Sequence, residues 1–177
     1  NTKQLFTNVN ATEATDSNYI TSFDSDGFGQ GQNNDTNESG QTYVAWNWKA
    51  NGQGSSNTDG SINTTYTSVN TTAGFSISSY TGNGTAGATI GHGLGTAPKV
   101  VLIKRRSTSG EWIMGHGSLG FTKFLELNLT GAAQTSTLRF NDTAPTSSVF
   151  TVGSTADTNQ NGTTLIAYCF AEKTGYS

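Results

Sequence analysis

Residues Phe28 to Trp48 read FGQGQNNDTNESGQTYVAWNW, and residues Phe150 to Phe170 read FTVGSTADTNQNGTTLIAYCF. Laid over each other without a gap, the stretches share Phe28/Phe150, Gly31/Gly153, Asp35/Asp157, Thr36/Thr158, Asn37/Asn159, Gly40/Gly162, Thr42/Thr164 and Ala45/Ala167. Tyr43-Val44 becomes Leu165-Ile166, and Trp46 and Trp48 become Tyr168 and Phe170. Self-similarity at a fixed spacing is the mark of a repeat architecture. Each copy reads as a strand end, an Asp/Asn/Gly turn and an apolar strand carrying aromatics. In Gln41–Lys49, alternation puts Tyr43, Ala45 and Asn47 on one face and Val44, Trp46 and Trp48 on the other. The second set is the expected core face, with Tyr168 and Phe170 filling the sandwich in the later copy.

The echo extends beyond these stretches. Lys123-Phe-Leu125 resembles Lys3-Gln-Leu5 after a two-residue slip, and Gly175-Tyr176-Ser177 repeats Gly74-Phe75-Ser76. Residues 1–49 are therefore expected to be the C-terminal half of a repeat and residues 72–177 a complete one, both drawn from a longer tandem array. A half copy leaves apolar strand faces uncovered, so residues 1–49 should pack on the full domain, on a neighbouring chain or on upstream sequence. Between the copies, residues 50–71 are Gly, Ser, Asn and Thr with little apolar content. Such a stretch reads as a linker or an extended surface loop dividing the chain.

Composition agrees with strands. Charged residues make up 12% of the 177 and glycine contributes 22 of them, so polarity is carried by Thr, Ser and Asn. These are weak helix formers and good turn and strand residues. From Thr72 onward eight candidate strands alternate with turn signals: Gly74–Thr81, Ala88–His92, Lys99–Arg106, Glu111–Gly115, Lys123–Leu129, Ser136–Phe140, Ser148–Val152 and Thr163–Ala171. In the first half, Tyr19–Phe23 and Gly27-Phe28 flank an Asp24-Ser-Asp26-Gly27 turn. No segment has a helical period. The expected fold is an all-β antiparallel sandwich, jelly-roll-like, preceded by a partial copy of the same repeat.

A formal charge of −3, with Lys104-Arg105-Arg106 as the longest basic run, argues against nucleic acid as a partner. No apolar run reaches the roughly 18 residues of a membrane helix, and NTKQLFTNVN has no signal-peptide core. The single cysteine, Cys169, lies in an apolar strand and reads as a buried, inert thiol. His92 and His116 are each flanked by glycine on at least one side and are expected to cap turns or bond backbone groups. Asp157-Thr-Asn159-Gln-Asn161-Gly162 matches the start of a calcium loop, but Tyr168 stands where the bidentate Glu belongs. An Asx-closed turn is the better reading. Among Asp24, Asp26, Asp142, Glu111 and Glu126, nothing singles out a glycosidase pair. No catalytic residue, metal or cofactor is expected. The candidate contact patch is Trp112 with Arg105, Arg106 and His116, where an indole could stack on a sugar and the cations meet acidic glycan.

The ordered motifs TGNGTAG at 81–87 and IGHGLGTAPKVVLIKRR at 90–106 resemble a repeat of bacteriophage, notably cyanophage, tail and fibre virion proteins. So do Glu111-Trp112, Ser118–Asn128, Asn141–Phe150 and Ala167–Glu172. The resemblance implies a structural, non-enzymatic virion component, assembled in the host cytoplasm. Its expected partners are itself, as a homotrimer, other virion proteins, and host-surface glycan. A stand-alone carbohydrate-binding module is the alternative. The two differ in their tryptophans: a stalk buries Trp46, Trp48 and Trp112 in its core or between chains, whereas an adhesin exposes aromatics on loop tips.

Overall fold

The computed structural model describes residues 3–175. The echo at Tyr176-Ser177 lies outside the described residues. The strands are β1 (Lys3–Gln4), β2 (Ala14–Thr15), β3 (Ile20–Phe23), β4 (Phe28–Gln30), β5 (Tyr66–Asn70), β6 (Phe75–Thr81), β7 (Ala88–Gly91), β8 (Val100–Arg105), β9 (Ile113–His116), β10 (Lys123–Glu126), β11 (Gln134–Thr135), β12 (Val149–Val152) and β13 (Thr164–Phe170). Three single-turn helices accompany them: α1 (Asn34–Asn37), α2 (Thr137–Phe140) and α3 (Ala156–Asn159). The fold is all-β. An antiparallel sheet of seven strands runs β11-β10-β9-β8-β13-β6-β5, and β12 pairs with β7 in a second layer. Two small hairpins, β1-β2 and β3-β4, complete the strand set.

The strand from the opening repeat, β13, is the hub of the large sheet, with β6 on one side and β8 on the other. Its TLIAYCF sequence is apolar on both faces, as a strand covered on both sides requires. Leu165, Ala167 and Cys169 enter the core together with Tyr80, Val101, Ile103 and Ile113, and meet Ile90, Phe150 and Val152 from the β7-β12 layer. Burying each such side chain contributes roughly 1.5–3 kcal/mol before entropy is counted. Tyr80 has no exposed surface; its hydroxyl donates to Thr158 O at 2.7 Å and its ring meets Phe150 edge-on at 6.3 Å. Burial raises the Cys169 thiol to about 12, so it stays protonated and inert.

This corrects the face assignment made from alternation. Tyr168 and Phe170 project from the opposite face of the sheet, where they are half-buried, and the core takes the smaller set. Where both faces of a strand are apolar, alternation separates two sets without saying which one looks inward. Gln41–Lys49 also departs from expectation, forming no strand and joining no sheet, because it lacks the neighbours that β13 has. Ser136–Phe140, expected as a strand, turns into α2 instead. Ser136 Oγ accepts from Leu138 N at 3.2 Å as an N-cap, and Phe140 drops into the core.

The stretch 50–71 is not a free linker. Tyr66–Asn70 is the edge strand β5, Ser55 bridges to Thr67, and Ile62 and Thr64 are buried. Its hydroxyls form a small internal network: Thr64 Oγ1 to Thr67 Oγ1 at 2.9 Å, and Thr67 Oγ1 to Ser78 Oγ at 3.0 Å. A composition that reads as loop supplies β-branched residues and side-chain bonds enough for an edge strand.

His92 is fully buried beside this layer. Its Nδ1 accepts from Leu94 N at 3.1 Å, so Nε2 carries the proton and donates to Thr146 O at 3.1 Å. A second proton would point at the Leu94 N–H, and burial accordingly holds the imidazole below its ordinary value of 6.5, against the opposing pull of Thr146 O and Asp59. The unfolded chain then takes up the proton first as the pH falls. Stability should decline as the pH drops below about 6.5 and level off once the folded form protonates too. Urea melts of wild type and His92→Gln across pH 5–8 check this, and the variant should lack that step.

Candidate functional site

The non-core face of the large sheet carries Phe75 and Ile77 from β6, Leu102 from β8, and Ile166, Tyr168 and Phe170 from β13. Residues 3–49 arch over this face and leave an open cleft of about 1280 Å³. Its aromatic rungs are in mutual contact. Phe75 and Phe170 have ring centroids 4.9 Å apart, Trp48 meets Phe170 edge-on at 5.8 Å, and Trp112 stacks on Tyr168 at 6.1 Å. Trp46, 72% exposed, stands at the rim. Charged groups face the same space: Lys3, Lys49 and Arg106 against Glu13, Asp24 and Asp26. Rings that offer flat faces beside hydrogen-bonding groups suit an amphipathic ligand.

Residues 3–49 hold to the full domain in cis, mostly through Asn10–Glu13. Lys104 Nζ donates to Ala11 O at 2.7 Å and Asn10 O at 3.3 Å, and Gly110 N donates to Asn10 O at 2.9 Å. Burial, with Arg105 adjacent, lowers the Lys104 ammonium against the weaker pull of Glu111 and Asp157. Arg106 Nε pairs with Glu13 at 2.6 Å, and Lys3 Nζ lies 3.4 Å from the same carboxylate. Burial raises Glu13, but the bonds and charges of Arg106 and Lys3 outweigh it and hold the carboxyl below its ordinary value. None of the described residues from 3 to 50 is buried, so this arm has no core of its own.

The four expected contact residues do not form one patch. Trp112 is only 3% exposed, and its Nε1 donates to Phe6 O at 2.7 Å. It is a strut beneath the arm, not a loop-tip platform. Arg105 is held on the core side of the sheet by Asp157 at 2.9 Å and Gln160 at 2.8 Å. Arg106 lines the cleft but is engaged by Glu13 and by Ser79 Oγ at 3.2 Å. His116 sits apart at the end of β9, its Nδ1 accepting from Ser118 N at 3.1 Å. The carboxylate of the calcium-like turn, Asp157, is occupied by Arg105 and Arg139. Trp46 and Trp48, assigned to the core by alternation, are instead exposed at 72% and 57%. One signal could have found them: the polar-tipped rings Trp46, Trp48 and Tyr168 all fall on one face, and such rings favour half-wet surfaces.

Fold and cleft together define an all-β sandwich with a partly covered aromatic sheet face. Over residues 1–177 the chain matches the family described as "Domain of unknown function (DUF7483)", and it belongs to that family. Comparison with curated proteins and with solved structures gives no match.

Proposed function

We propose that this chain is a structural segment of a bacteriophage fibre or tail appendage, non-enzymatic, acting in the virion as a homotrimer alongside other virion proteins. The observation that carries this reading is the exposure of Val44, Trp46 and Trp48 at 70%, 72% and 57% along a single extended stretch. A contiguous apolar strip of this kind marks a surface meant to be covered in an assembly. The resemblance of residues 81–106 to phage tail and fibre repeats supplies the setting. A second reading, a carbohydrate-binding module that contacts host glycan, is favoured by the aromatic cleft and its mixed-charge rim.

Native mass determination over a wide concentration range tests the first reading. A trimer is the expected result, and a chain that stays monomeric throughout would sink it. Glycan-array binding with Trp46→Ala and Trp48→Ala tests the second. Those variants are preferable to Trp112→Ala, whose ring is buried.

A further inference from the structure

Outside the β3-β4 hairpin, where the full copy instead pairs β12 with β7, the arm up to Gly40 repeats hydrogen bonds of the full copy's second half. In the hairpins, Lys3 faces Thr15 and Gln4 faces Ala14, as Lys123 faces Thr135 and Phe124 faces Gln134. Gly31 N donates to Tyr19 O at 2.7 Å, and Gly153 N to Arg139 O at 2.9 Å. Asn33 N donates to Asn18 O at 3.0 Å, and Thr155 N to Leu138 O at 3.2 Å. Asn37 Nδ2 donates to Gly31 O at 2.9 Å, and Asn159 Nδ2 to Gly153 O at 3.1 Å. Gly40 and Gly162 then turn the chain with φ of 82° and 73°. Two residues later the copies part: Thr164–Phe170 is paired on both edges, whereas Thr42–Trp48 makes no backbone hydrogen bond among the described residues and is exposed throughout.

We infer that Thr42–Trp48 is a strand of the β13 type lacking its two neighbours, and that its partner is a second β5–β9 segment of this same repeat. The full copy is the template for that pairing, because there β6 and β8 flank the equivalent strand. Tyr43, whose hydroxyl bonds Asn34 O at 2.8 Å and Glu38 N at 2.9 Å, corresponds to core residue Leu165 and already leans on α1. An intact second copy does not fit as the donor. Among the described residues each chain holds two stretches of this sequence pattern and one β6/β8 pair, which β13 occupies. Exchange between chains would complete one sandwich by opening another.

Amide hydrogen exchange tests this on the chain itself and on a chain with residues 50–122 duplicated ahead of Lys3. In the unextended chain at low concentration, amides 42–48 should exchange at least about 1000-fold faster than amides 164–170. In the extended chain they should slow by about 100-fold or more. Ala45→Pro should abolish that protection while leaving the melting of the unextended chain unchanged. Three results would overturn the inference: protection of 42–48 in the dilute unextended chain, protection there that appears only with rising concentration, or an added segment that leaves 42–48 unprotected, folded or not. The inference concerns the edges of this strand and the appendage reading its Val44/Trp46/Trp48 face, and the native mass of the unextended chain plays no part in the test, so the two can fail separately.

Discussion

Replacing Asn159 with alanine should cost about 3–5 kcal/mol, the sum of several buried polar groups left without partners. The residue has no exposed surface. Its two Nδ2 hydrogens are shared among Thr85 O at 2.9 Å, Gly153 O at 3.1 Å and Asn83 Oδ1 at 3.2 Å, and its Oδ1 accepts from Asn83 N at 2.9 Å. One side chain thus ties the β6–β7 turn to the β12–α3 turn. Alanine fills none of these bonds and admits no water in exchange. The counterpart in the arm is an internal control. Asn37 makes the same bond to Gly31 O, but it is exposed and water can replace it. Asn37→Ala should cost under about 0.5 kcal/mol. Urea unfolding of both variants checks the pair, and equal losses would show that burial is not what separates them.

Trp112→Ala should be comparably damaging, by about 3–5 kcal/mol, and should also release the arm. The indole is 3% exposed, lies stacked on Tyr168, and bonds the backbone of Phe6. Its removal opens a cavity beneath the backbone of Phe6. Trp112→Phe keeps a ring against Tyr168 and loses the Nε1 bond, so about 1–1.5 kcal/mol is expected. Limited proteolysis distinguishes the effects: cleavage within residues 3–49 should accelerate strongly in the alanine variant and weakly in the phenylalanine variant. By contrast, Trp46→Ala removes an exposed ring and should leave stability nearly unchanged. Unchanged arm proteolysis in Trp112→Ala would mean that the Asn10–Glu13 contacts suffice to hold it.

Much of the framework was readable from residue type. Short strands separated by Gly, Asn and Asp turns implied an all-β sandwich, and seven of the eight strands expected after Thr72 have counterparts in the sheets. The exception, Ser136–Phe140, is ambiguous by nature, because five residues led by a serine, with Leu138 and Phe140 alternating around Arg139, fit either a strand or a capped turn of helix. The cleft was not legible at all. Its floor comes from β6, β8 and β13 and its cover from residues 3–49, so no local window contains it. The proposed patch around Trp112 failed for a related reason: a tryptophan beside basic residues looks the same in sequence whether its face meets solvent or the backbone of Phe6.

The stretch FGQGQNNDTNESGQTYVAWNW and its later counterpart showed by themselves that two parts of the chain are alike in sequence, where their turns fall, and which residues alternate together. Those properties depend on backbone torsions and side-chain types, which are local. Only the tertiary structure decided what each copy does. Thr164–Phe170 became a buried central strand because β6 and β8 satisfy its backbone on both edges, whereas Thr42–Trp48, with nearly the same pattern, lies exposed because nothing does. A strand is completed by its neighbours, and neighbours are a property of the fold.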